Sequence, residues 1–216
     1  MRANTEVVSS EQAEKGFAPA AEFAAVANAD ASLYDRSASD RDGFWTEQAH
    51  RLHWHEPFSR VLDWDDAPVA RWFGDGKLNV AYNCVDRHVA DGHGDQIAIH
   101  WVGEPGDTRD ITYRQLLIEV SRAANYFTEL GLVAGDRVAI YLPIIPEAIV
   151  AMLACARLGL VHSVVFAGFS AGALRQRIED AQARLVVTAD GQWRRGKPAA
   201  LKESVNEALA GQQDST

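Results

Sequence analysis

The string richest in potential chemistry is Val164-Val165-Phe166-Ala167-Gly168-Phe169-Ser170-Ala171-Gly172-Ala173-Leu174. Gly168 to Gly172 form a G-x-S-x-G run between an expected strand and an expected helix. That is the setting of a hydrolase nucleophile elbow, in which a strained turn lifts a serine hydroxyl above a sheet. An α/β-hydrolase using Ser170 also needs an acidic residue and a histidine after the serine. All seven histidines, from His50 to His162, precede it. The residues favour a Gly-rich strand-to-helix turn with Ser170 as N-cap. Such a turn still suits a ligand, because small residues admit it to the backbone. The next helix also directs free N–H groups and a partial positive charge outward.

A second cluster lies downstream, where Thr188-Ala189-Asp190-Gly191-Gln192-Trp193 runs into Arg194-Arg195-Gly196-Lys197-Pro198. Three cations in four residues suit a phosphate group, with arginine offering a planar fork. The spacing reads as a basic loop before a helix opened near Pro198. Both clusters follow strands in consecutive β-α units, so they are expected to face one crevice that takes an anionic ligand. Other candidates are weaker. His50, His53 and His55 lack the i, i+4 spacing of a helix-borne zinc site. Trp45, Trp54, Trp64 and Trp72 read as packing anchors. Neither GxxxxGK[ST] nor GxGxxG occurs, so the standard nucleotide loops are absent from this sequence.

The elements that position these groups begin near residue 95. Gln96–Val102 alternates as a strand and Asp110–Tyr113 returns as its hairpin partner. Thr112 caps a helix closed by Gly131. A buried strand (Arg137–Leu142) follows, then a helix opened by Pro146 and closed by Gly159. Next come a strand (Ser163–Phe166), a helix capped by Ser170 and a strand (Arg184–Thr188). The alternation predicts an α/β fold with a mostly parallel sheet and flanking helices. Before it, residues 1–19 read as a flexible tail and 20–88 as a helical and irregular N-terminal extension. In that extension Phe23, Val26 and Ala27 recur at helical spacing. Ser39 or Asp40 caps a further helix carrying Phe44, Trp45, Ala49 and Leu52, and residues 56–88 have no sustained period. Residues 89–216 hold the β-α units.

Composition excludes several classes. With 21 Lys plus Arg against 30 Asp plus Glu, the net charge of −9 argues against nucleic acid or an anionic membrane as partner. No charge-free stretch is long and apolar enough for a spanning helix. The hydrophobic fraction of 47% excludes disorder for the body of the chain. Cys84 and Cys155 form no CxxC, and the first residues hold no signal-peptide core. The expected compartment is therefore the cytoplasm.

Taken together and in order, FWTEQAHRLHWHEPFSRVLDW, RWFGDGKLNVAYNCVDRH, DRVAIYLPIIPEAIVAMLACARLGLVHSVVFAGFS and RLVVTADGQWRRGKP resemble the N-terminal part of the AMP-forming acetyl-CoA synthetase family. The resemblance is specific for the acetyl/propionyl-CoA synthetase branch of the adenylate-forming enzymes. The resemblance runs from about Ala20 to Leu209. It implies that 20–88 is the family's N-terminal extension and 89–216 the start of its AMP-binding domain. It implies small-molecule substrates (acetate, ATP and coenzyme A, with Mg2+) and a two-step reaction through acetyl-adenylate. By the same resemblance, Phe166, Ala167, Gly168, Arg194, Arg195, Gly196 and Lys197 contact the nucleotide end of coenzyme A. The family's usual second turn glycine is Ala167 here, and a position that is often arginine is Lys197. The phosphate loop, acyl pocket and catalytic lysine are expected beyond residue 216, so this chain alone is expected to be inactive. Within the branch the resemblance leaves propionyl-CoA synthetase as the alternative, and from a different class the rival reading is a non-catalytic coenzyme A- or nucleotide-binding module.

Overall fold

The computed structural model describes residues 19–210, so the expected tail lies almost wholly outside the described residues. The chain divides into two compact units. In the first, residues 19–51 and 61–72, the helices are α1 (Ala21–Ala25), α2 (Ser32–Ser39) and α3 (Arg41–Ala49). A minimal antiparallel pair joins β1 (Leu62–Asp63) to β2 (Arg71–Trp72). Asp40 caps α3, its carboxylate accepting from Gly43 N–H at 2.9 Å. Helix α1 is too short to present a stripe, and Phe23 and Val26 are 69% and 78% exposed. Trp45 instead meets Phe44 and Trp72 edge-on, with centroids 5.4 and 5.8 Å apart.

The second unit, residues 52–60 and 73–210, opens with an aromatic cluster in which Trp54, Phe58 and Phe73 pack on one another at 4.8–5.7 Å. From Val80 the chain turns helical, with π-helical turns at Tyr82–Asp86 and Val89–His93. Sequence reading takes this stretch as irregular, because π turns break the 3.6-residue recurrence that betrays a helix. Asn79 anchors it. Its side-chain amide donates to the carbonyls of Ala156 and Arg157 at 3.3 and 3.1 Å, while its oxygen accepts from Tyr82 N–H.

There follow the hairpin β3 (Ile97–Val102) and β4 (Thr108–Thr112), then α4 (Tyr113–Glu129), β5 (Arg137–Tyr141) and α5 (Pro146–Leu158). After these come β6 (Val161–Val164), α6 (Ala171–Ala181), β7 (Leu185–Thr188), a hairpin of β8 (Gly191–Arg194) and β9 (Lys197–Ala200), and α7 (Lys202–Leu209). The expected helix ends are present. Thr112 and Gln115 form a reciprocal capping box, Pro146 starts α5, Gly159 closes it at φ 70°, and Ser170 caps α6.

Strands β6, β5 and β7 form a parallel sheet with β5 in the centre. Alternation along β5 divides the core into two layers. Val138 and Ile140 join Leu116, Val120, Val150 and Cys155 from α4 and α5. Ala139 and Tyr141 join Leu174, Ile178 and Val205 from α6 and α7. Burial pushes the Cys155 thiol up to about 11, so it packs as a small apolar side chain.

At the amino end of β5, Asp136 accepts from Val133 N–H (2.9 Å) and from the Arg184 guanidinium (2.6 Å). The Val133 hydrogen bond, followed by Arg184, holds its carboxyl below the ordinary 3.8. A carboxyl depressed in the folded state stabilises above its unfolded value, and that contribution is lost as pH falls through the folded one. Asp136→Asn is expected to lower the urea midpoint at pH 7. The gap from the parent chain should close below about pH 4, where unfolded carboxyls protonate; a gap constant with pH would contradict the assignment.

Candidate functional site

The strand order creates the site. Crossover connections between parallel strands are right-handed, so β5-α5-β6 and β6-α6-β7, which travel in opposite directions, place their helices on opposite faces. The two core layers show that outcome. The segments leaving β5 and β6 therefore part company and open a crevice at the strand carboxyl ends, the position at which open α/β sheets bind ligands. Its volume is about 870 Å³. One wall is Leu142 to Ile145 after β5, and another is Phe166 and Ala167 after β6. A third is Gly191 to Arg194 of β8, and the fourth is the Trp101–Asp107 region of the β3–β4 hairpin.

The Gly-rich turn is held from within. Tyr141, 1% exposed at the end of β5, donates its hydroxyl to the carbonyls of Phe169 (2.8 Å) and Ala167 (3.4 Å). The Gln192 side chain donates a further bond to Ala167 O at 2.8 Å, tying the β8 strand to the same turn. Phe166 stays 57% exposed with the Arg194 guanidinium 5.1 Å from its ring centroid. A Cβ at Gly168 would overlap that guanidinium and the Phe166 ring, so the missing side chain is what lets Arg194 lie across the turn.

The basic segment is a hairpin, which corrects the loop and the helix start at Pro198 expected from sequence. Arg194 faces Lys197 and Trp193 faces Pro198 across an antiparallel pair. Arg195 and Gly196, at φ 55° and 74°, make the two-residue turn. Paired left-handed residues match the twist of a hairpin, and glycine is at ease there. Helix α7 starts only at Lys202. As direct cross-strand partners, Arg194 and Lys197 project from the same face of the ribbon.

Of the residues singled out from sequence, Phe166, Ala167 and Arg194 line the crevice. Gly168 lies beneath Arg194, and Arg195, Gly196 and Lys197 form the hairpin end at its rim. The two clusters meet although β5 separates β6 from β7, because the β8–β9 hairpin reaches back over the strand ends. Ser170 accepts from Ala173 N–H at 3.3 Å, the N-cap role. Among the described residues no group of three or more His, Cys, Asp or Glu side chains is placed to hold a metal ion. Sequence reading missed the Trp101–Asp107 wall, Tyr141 and Gln192. Tyr141 carries a usable signal, a phenol closing an otherwise apolar strand.

Comparisons with known proteins agree with this architecture. The family model described as acetyl-coenzyme A synthetase N-terminus matches residues 31–84, and that described as AMP-binding enzyme matches residues 86–215. An acetyl-coenzyme A synthetase of Mycolicibacterium smegmatis is 68% identical over 197 residues, 91% of this chain and 21% of the relative. That of Mycobacterium bovis is 64% identical over 203 residues, 94% of this chain and 31% of the relative. That of Deinococcus radiodurans is 53% identical over 194 residues, 88% and 30%. The chain thus spans between 21% and 31% of the length of these relatives.

Tyr141→Phe keeps the ring and removes the donor to two turn carbonyls. It is expected to lower the unfolding free energy by about 1 to 2 kcal/mol in urea denaturation, the cost of one buried hydrogen bond left unmade. An unchanged midpoint would show that the turn stands without this support.

Proposed function

The chain belongs to the AMP-binding enzyme family, and from that membership we propose that it is the N-terminal part of an AMP-forming acetyl-CoA synthetase. In that reaction the acetate carboxylate attacks the α-phosphate of ATP, releasing diphosphate. The thiol of coenzyme A then displaces AMP from the acetyl-adenylate. We assign residues 20–88 to the N-terminal extension and 89–216 to the start of the adenylate-forming domain. The family models, which meet between residues 84 and 86, support that division.

Within this chain the proposed role is to hold the nucleotide end of coenzyme A. The observation that carries the reading is the Arg194 guanidinium lying over Phe166 and above Gly168, at the mouth of the crevice between the ends of β5 and β6. A planar fork can meet a phosphate with two parallel hydrogen bonds, and the side-chain-free Gly168 gives that guanidinium room to lie across the turn. Lys197, on the same face of the ribbon, adds a second positive charge without the fork. Ala167 puts one methyl where the family usually has none. Phe166 and Trp193, each more than half exposed, offer flat apolar surfaces beside the cations.

The donors of the crevice, Arg194 with Lys197 beside it, fit an anionic nucleotide. Among the described residues no helix is long and apolar enough to cross a membrane. That observation, the acidic balance and two unpaired thiols support a cytoplasmic protein acting on small molecules rather than on nucleic acid.

Titration of the chain with coenzyme A by calorimetry tests the reading. Arg194→Ala is expected to weaken binding roughly ten- to hundredfold, the loss of a charge-assisted pair, and Lys197→Ala by less. Equal affinity in the parent chain and both variants would remove this crevice from the account.

A further inference from the structure

The crevice contains two carboxylates, Glu104 and Asp107, where an anion site would be expected to exclude them, and only Glu104 is bonded to the basic hairpin. Glu104, in the turn between β3 and β4, lines the crevice beside Arg194. Its Oε1 accepts a 2.5 Å hydrogen bond from the backbone N–H of Gly196, a residue 92 positions away. Gly196 is the second residue of the two-residue turn between Arg194 and Lys197, and its N–H has no partner in the β8–β9 ladder. Arg194, Arg195 and Lys197 surround this donor in sequence, and among the ion pairs of the described residues none involves any of the three. The carboxylate therefore leaves the three guanidinium and ammonium groups unneutralised and takes a main-chain N–H instead. An anionic oxygen held by a backbone N–H within a cluster of cations is the arrangement that protein sites use for phosphate.

We propose that Glu104 is a specificity-setting residue of the crevice: its carboxylate stands in for a ligand phosphate on the Gly196 N–H and must give way when that phosphate arrives. The inference rests on the assignment of the crevice to the nucleotide end of coenzyme A. Any ligand carrying a terminal phosphate at the hairpin end meets two opposing effects. It gains the donor and the cations, and it displaces a like charge. A ligand without that phosphate leaves Glu104 in place. Glu104 thereby limits the advantage of the phosphorylated ligand and keeps its dissociation fast, since the carboxylate can reclaim the N–H as the phosphate departs.

The test compares coenzyme A with dephospho-coenzyme A, which lacks only the 3′-phosphate, by calorimetry on the parent chain, Glu104→Gln and Arg194→Ala. Glutamine keeps the size of the side chain and a neutral acceptor oxygen. The expected result is coenzyme A binding roughly three- to tenfold tighter in Glu104→Gln, the effect of removing one like charge a few ångströms from a phosphate. Dephospho-coenzyme A binding should be unchanged, and the gain should shrink with added salt. Coenzyme A bound equally by parent and Glu104→Gln, with Arg194→Ala still impaired, overturns the role of Glu104 and leaves the crevice assignment standing. Weaker binding of both ligands in Glu104→Gln also overturns it, by showing that the carboxylate serves only to tie the two hairpins together. No coenzyme A binding by the parent chain overturns the crevice assignment and this inference with it.

Discussion

The second unit depends on a five-residue strand that is apolar on both faces. Val138 and Ile140 point into one layer, Ala139 and Tyr141 into the other, and each of the four is at most 1% exposed. A strand buried on both sides cannot sit at the surface, so helices must cover it twice. The chain achieves this by sending α5 to one face and α6 to the other, which requires β6 and β7 to flank β5 from opposite sides. The crevice is the geometrical consequence. Where successive connections diverge to opposite faces, nothing fills the space above the strand ends.

Polar groups within this apolar frame are placed where they define the site. The Tyr141 hydroxyl, at the last position of β5, reaches two carbonyls of the Gly-rich turn and so couples core packing to the shape of the crevice. A two-stranded hairpin such as β8–β9 has little stability of its own. It is tethered to the rest of the unit at two points, Gln192 to Ala167 O and Gly196 N–H to Glu104, and its own ladder is extended by Leu201 N–H donating to Asp190 O. On the far side of the unit Arg157 makes a two-pronged ion pair with Asp86, while its Nε is buried without a partner among the described residues. That orphaned donor carries a desolvation cost, which the bidentate pair and the neighbouring Asn79 bonds offset.

Local chemistry made much of this legible beforehand. Thr112, Pro146, Gly159 and Ser170 each end or begin a helix for reasons contained within four residues, and each does so in the structure. The alternation of strand and helix was equally readable, and with it the parallel sheet. The Gly168 turn and the basic run could be matched to an anion because glycine, arginine and lysine carry their meaning without neighbours. The errors arose where local signals were ambiguous. A pair of residues with positive φ can belong to a loop or to a tight hairpin, and Pro198 suits an exposed strand as well as a helix start. The helical stretch from Val80 was invisible because its π turns carry no 3.6-residue recurrence.

The sequence by itself determined the helices and strands from β3 to β7, where most of them stop, and which residues are chemically equipped for a phosphate. These follow from backbone sterics, hydrogen-bond satisfaction and side-chain charge, all of which act over a few residues. Only the tertiary structure decided that β5 lies between β6 and β7, that the β8–β9 hairpin folds back over the Gly-rich turn, and that Glu104 meets Gly196 across 92 positions. Strand order is set by burying both faces of one strand at once, a condition on the whole chain. No window of sequence contains it.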